Sequence, residues 1–195
     1  MPFLLLGLLL LPGLLQAGDC LEGQRAILLV DTRFQSEAGA RHAVNDPLYL
    51  GIASQSLQAR GLTLIDPKVA QKGLTEAQKT LILQGDVVGA LEAAQRMKAT
   101  LLVNVYLTAF ARPLPGLTTN LRSVSGQIAV KAIDARDGRL LGEARRSFRK
   151  VGLGIEGVLP GLLEQSLPGL WDRLFAAACP RIAPPETLER RLDEL

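Results

Sequence analysis

The stretch Gly85–Phe110, GDVVGALEAAQRMKATLLVNVYLTAF, constrains the fold most, because it joins a capped helix directly to a long apolar strand. Asp86 is placed to cap that helix, since its carboxylate can accept from first-turn amides that have no partner of their own. Val87, Ala90, Leu91, Ala94 and Met97 recur at helical spacing as one apolar stripe, and Glu92 and Arg96 can pair on the wet side. From Leu101 the period changes to two. Val103, Val105, Leu107 and Ala109 fall on one side, and Asn104, Tyr106, Thr108 and Phe110 on the other. A strand with one fully apolar side belongs in the centre of a sheet.

The rest of the chain supplies the elements that pack around this unit. Ala26–Val30 is continuously apolar, as an inner parallel strand buried on both faces would be, and Phe34 extends its wall. Gln35–Asn45 is polar and small and reads as a loop. Asp46-Pro47 then caps a helix that carries Tyr49, Ile52, Ala53 and Leu57 inward and stops at Gly61. A short strand follows at Leu62–Ile65, then a second Asp-Pro cap at Asp66-Pro67, then a helix with capping-box spacing at Thr75 and Gln78. Beyond Phe110, the segment Arg112–Ser125 reads as an exposed loop. Strands at Gln127–Ile133 and Arg139–Phe148 flank Asp134–Gly138, whose Asp-Gly pair suits a hairpin. A closing helix spans Ile155–Ala178, with Pro168 expected to kink or divide it. The order predicts an α/β fold: a mixed sheet of about five strands, a parallel core plus an antiparallel hairpin, covered by helices in a single domain.

Residues 1–18, MPFLLLGLLLLPGLLQAG, carry no charge and end in small side chains, which resembles a secretory signal cleaved near Ala17 or Gly18. A permanent membrane helix is the weaker reading, because Pro12 and Gly13 interrupt the apolar run. The expected organisation is therefore a leader at 1–18, one periplasmic domain at 19–180 and a charged tail at 181–195. Export gives meaning to the two cysteines, Cys20 and Cys179. In an oxidising compartment a bond between them would clip the start of the mature chain to its end. Two unrelated thiols are the alternative. Lipid attachment at Cys20 is a third reading, disfavoured by Asp19, since the residue before an acylated cysteine is normally small.

Motifs with catalytic chemistry are sparse. Gly152-Leu-Gly154-Ile-Glu-Gly157 is a literal GxGxxG, but no strand follows to complete a dinucleotide-binding unit, so it reads as a turn into the last helix. His42 is the single histidine and falls in the polar loop; no glycine-flanked serine accompanies it, and one histidine with two distant cysteines gives no metal-ligand spacing. No catalytic residue, cofactor site or metal site is expected. Asp31, at the carboxyl end of the first strand, and Asn104 are the best-placed pair for a small-ligand pocket in an open α/β sheet. The net charge of +3 is mild, and aromatics are not interleaved with the basic residues, which argues against nucleic acid. Arg145, Arg146, Arg149 and Lys150 cluster near the end of one strand, where basic residues either protect a sheet edge or meet an anionic partner.

Taken together, Ala26–Val30 with Phe34, GLTLID at 61–66, ALEAAQRMKATLLVNVYL at 90–107 and IAVKAIDARDGRLLGEARRSF at 128–148 resemble periplasmic domains of the TolB amino-terminal and curli-secretion type. Within that group the chain looks most like the middle domain of the flagellar assembly protein T family, on its Asp-Gly hairpin ending in an aromatic and its Cys179-Pro180 ending with an early Cys20. Related domains occur in penicillin-binding-protein activators and polysaccharide-export lipoproteins. The resemblance implies a non-enzymatic binding or assembly module in the periplasm, with flagellar basal-body components or other envelope proteins as partners. Outer-membrane association and an oligomer would be compatible with it. A small-ligand-binding periplasmic protein is the alternative class. Contacts are expected from Arg112, Arg122, Arg145, Arg146, Arg149 and Lys150.

Overall fold

The structure is a computed structural model and describes residues 20–65, 92, 94–114 and 120–182. The expected leader, the caps at Asp66, Thr75 and Asp86, and the tail beyond Ile182 lie outside these residues. Six strands make one mixed sheet: β1 (Arg25–Ser36), β2 (Gly39–Val44), β3 (Thr63–Leu64), β4 (Leu101–Pro113), β5 (Arg122–Asp134) and β6 (Leu140–Gly152). Their order is β2-β1-β4-β5-β6, with β3 beside the start of β1. Two helices, α1 (Pro47–Gln58) and α2 (Ile155–Ala178), pack on one face and enclose the main core.

β1 runs parallel to β3 and β4, and Ala26–Val30 is buried on both sides, as its unbroken apolar run requires. β4 is central, parallel to β1 and antiparallel to β5. Val103, Val105, Leu107 and Ala109 face the helices, while Leu102 joins Ile27, Leu29, Ile65, Ala94 and Ala99 in a smaller cluster on the opposite face. Asp46 caps α1 by accepting from the Leu48 amide at 3.1 Å, and the chain leaves that helix through Gly61 at φ 83°.

The strands run further than the apolar pattern indicated. The expected loop Gln35–Asn45 is instead the end of β1 and all of β2, joined across Glu37 and Ala38 with Ser36 opposite Gly39. The expected loop Arg112–Ser125 is likewise shortened, because β4 and β5 remain paired out to Pro113 and Arg122. Backbone ladder bonds need no apolar side chains, so pairing continues past the edge of the core where hydrophobic alternation gives no signal. Asn45, at φ 55°, extends the idea with a side chain. It gives its amide to the Val30 carbonyl at 2.6 Å and takes the Val30 amide on Oδ1 at 2.8 Å, filling the gap on β1 between β2 and β3.

α2 is continuous through both Pro160 and Pro168. Pro168 and Glu164, whose carbonyl loses its partner, both lie on the exposed side, so water can satisfy that group while Leu167, Leu170 and Trp171 hold the turn to the core.

The expected β5–β6 hairpin forms with Gly138 at φ 74°, but Asp137 does not share a positive φ, and the loop spans four residues between the paired Asp134 and Arg139. Buried Asp134 organises it, accepting from the Arg136 amide at 2.9 Å and from the Arg136 guanidinium at 2.5 and 2.9 Å. The Arg136 side chain bond holds the carboxyl below its usual 3.8, against the opposing effect of burial. The native state therefore binds that proton less tightly than the unfolded chain. Its stabilisation is complete above about pH 4 and fades as pH falls through the folded value. Asp134→Asn is expected to cost about 1–3 kcal/mol at pH 7, with the deficit narrowing by pH 3, as read from urea unfolding at both pH values.

Candidate functional site

On the face away from α1 and α2, the sheet changes from apolar to polar along each strand. Cα partners share a side of the sheet, so Asp31 and Arg33 of β1 lie with His42 of β2, Asn104 and Tyr106 of β4, Lys131 of β5 and Glu143 of β6. At the centre is Asp31, only 1% exposed. One carboxylate oxygen accepts from Arg33 Nε at 3.0 Å and the other meets His42 Nε2 at 2.7 Å. Arg33 and His42 sit opposite each other on β1 and β2, so the antiparallel register converges both on one carboxylate.

Next to this cluster, Lys131 Nζ stands 5.4 Å from the Tyr106 ring centroid and 3.8 Å from Glu143. Burial pushes the Tyr106 phenol above its usual value; a weak bond from Asn104 Nδ2 at 3.5 Å opposes the shift, and the Asp31 charge adds to it. The phenol therefore stays protonated at neutral pH and is no base. His42 is half exposed, and among the described residues no hydroxyl or thiol is hydrogen-bonded to it. The geometry provides an acid and a histidine without a nucleophile, and a nucleophilic triad needs all three.

The structure separates several residues that the sequence suggested together. Asp31 is in the middle of β1, not at its carboxyl end, because the hairpin with β2 prolongs the strand to Ser36. A shallow depression of about 170 Å³ is lined by Asp31, Arg33, Tyr106, Leu107 and Thr108. Asn104 does not line it; that side chain is buried, and among the described residues its Oδ1 has no hydrogen-bond partner. His42, read from sequence as a solvated loop residue, is a strand residue bound to a buried acid. Only the register of β2 could reveal this, and the exposed composition of β2 hid that register. With a half-exposed partner, His42→Ala is expected to cost under about 1 kcal/mol. Asp31→Ala leaves a buried gap beside Arg33 and His42 and should cost about 1–3 kcal/mol. Urea unfolding checks the order of the two effects.

A larger depression, about 380 Å³, lies at the end of the sheet where the β1–β2 turn meets the GxGxxG segment. Phe34, Ala111 and Ile155 form its apolar floor, and its charged rim is paired, with Arg41 on Glu156 at 3.1 Å and Arg122 on Glu37 at 3.3 Å. Gly154 and Ile155 form one wall as the entry to α2, which gives the glycine motif a structural role. Arg112 is exposed near the end of β4. The basic residues of β6 divide by side: Arg145 and Arg149 lie on the face of Lys131, and Arg146 and Lys150 on the face of α2. Cys20 and Cys179, 159 positions apart, are joined in a disulfide with Cα atoms 5.6 Å apart. Among the described residues no group of His, Cys, Asp or Glu is arranged to hold a metal ion, and no helix is long and apolar enough to cross a membrane.

No family model matches the chain, and neither does any curated protein. Solved structures resemble it more coarsely. The PelC dodecamer from Paraburkholderia phytofirmans is 12% identical with a TM-score of 0.45, over 78% of this chain and 88% of that one. Lipoprotein GNA1162 from Neisseria meningitidis is 15% identical with a TM-score of 0.43, over 76% and 96%. The LpoB C-terminal domain from Salmonella enterica is 13% identical with a TM-score of 0.40, over 66% and 84%. These values describe a coarse likeness of fold, and the flagellar resemblance gains nothing from them.

Proposed function

We propose that the chain is an exported, non-enzymatic binding module of the cell envelope, an accessory factor that contacts other envelope proteins. The observation that carries this reading is the Cys20–Cys179 disulfide. Such a bond persists in oxidising compartments and is rare in a reducing cytoplasm, and the uncharged apolar stretch at residues 1–18 is of the kind that directs export. The sheet with α2 serves as a rigid platform, with the two ends of the chain tied together and the basic strand β6 exposed to a partner. Assembly of the flagellar basal-body ring is a finer version, resting on the hydrophobic pattern, the Asp-Gly hairpin with its final aromatic, and the Cys179-Pro180 ending paired with an early Cys20. The accessory role requires only export and a contact surface, and is the reading adopted.

The test is the intact mass of the protein from the envelope fraction of its native host, with and without reduction before thiol alkylation. A chain starting at Gly18 or Asp19, alkylated at both cysteines only after reduction, is expected. An unprocessed chain with free thiols would overturn the proposal. The enzymatic alternative centres on His42, and His42→Ala is expected to leave the protein's function in its host intact.

A further inference from the structure

We propose that β6 is a docking edge for an extended, acidic segment of a partner protein, which adds to the sheet as a further strand. This deepens the binding-module reading and rests on it. β6 is the terminal strand of the sheet order and, at 13 residues, is long for an edge. From Arg145 onward Arg145, Arg146, Ser147, Arg149, Lys150 and Val151 are all exposed, and only Phe148 packs back against the core, so charged side chains of both faces reach solvent along this half-strand. An edge of this kind presents a row of unpaired backbone donors and acceptors, the template for strand addition.

The charges select the occupant. Arg145 and Arg149 stand on one face and Arg146 and Lys150 on the other, in two adjacent pairs four residues apart, about 13 Å along the strand. Among the described residues Arg145 has one distant acid, Glu143 at 4.0 Å, and Arg149 reaches only the Ser123 hydroxyl, at 3.5 Å. A second copy pairing through β6 would set these cations against one another, which the pattern disfavours. A strand with two adjacent acidic residues, two uncharged positions and two more acids would place a carboxylate beside each cation, on both faces at once. Exposed Val151 and Leu153, 57% and 77% accessible, extend the same edge with apolar contacts.

The probe is a labelled ten-residue peptide of threonine and valine carrying two adjacent glutamate pairs in that spacing, titrated by fluorescence anisotropy against the full chain. Lysine-for-glutamate and backbone N-methylated versions, methylated on one or the other alternate set of residues, are run beside it. Expected results are binding of the glutamate peptide, none of the lysine peptide, and loss with one of the two N-methylated sets. Exchange protection should appear at alternate β6 amides. The double variant Arg145→Glu/Arg149→Glu, checked for folding by circular dichroism, should bind at least tenfold more weakly. Equal binding of both N-methylated peptides would reduce the effect to charge attraction and overturn strand addition, as would no binding at all. Self-association that protects β6 without peptide would replace the proposed occupant by a second copy. The envelope mass measurement is independent of all these outcomes, so a failure here removes the docking edge and leaves the export reading to its own result.

Discussion

Replacing Cys20 and Cys179 by serine is expected to lower stability by up to about 5 kcal/mol, the value the chain-entropy model assigns to closing a loop of this length. The bond spans 159 positions, so it removes a large part of the freedom of the unfolded chain. It also ties together two segments that both contribute to the main core. Leu21, next to Cys20, is buried against the main core, and Ala178 ends α2 in the same core. For a chain of this size the loss corresponds to a fall in Tm of about 10–20 °C. Thermal unfolding of oxidised protein, reduced protein and the double serine variant measures it. The last two should coincide, and a variant within about 1 kcal/mol of the oxidised protein would show that packing alone pins the ends.

Trp171→Ala is expected to cost about 3–5 kcal/mol. Trp171 is fully buried on α2, with its ring 6.2 Å from that of Phe175 and its Nε1 donating to Ser56 Oγ of α1 at 3.0 Å. It is therefore the place where the two helices are joined over the sheet. Arg60 reinforces the same junction from the surface, reaching Asp172 at 2.8 Å and the Pro168 carbonyl at 2.7 Å. Truncation would leave a cavity that α1 and α2 cannot both close, since each is anchored to the sheet. Urea unfolding followed by circular dichroism tests this, because the substitution removes the single tryptophan. Ser56→Ala, which loses only the hydrogen bond, should cost about 1 kcal/mol. A larger cost for Ser56→Ala than for Trp171→Ala would show that the polar contact, and not the ring's packing, holds the helices.

The sequence by itself determined those parts whose cause is local or periodic. The change of period at Leu101 marks β4, the unbroken apolar run marks β1 as an inner parallel strand, and Asp46-Pro47, Gly61 and Asp134–Gly138 each carry the chemistry of a cap or a turn. These features suffice for a mixed α/β sheet because each selects a backbone conformation through neighbouring residues alone.

Only the tertiary structure decided what depends on register. Gln35–Asn45 has no apolar alternation, and it became strand because β1 supplied a ladder to pair with. That pairing moved Asp31 from a strand end to a strand centre and set His42 and Arg33 around it, while leaving Asn104 buried outside the depression Asp31 lines. The basic run of β6, its alternation and a place at a sheet edge could be read in the sequence, but which of its residues share the face of α2, and that β5 is its neighbour along its whole length, could not. Side chains alternate along a strand by local geometry, whereas which strand lies beside which is set by contacts between residues far apart in the chain.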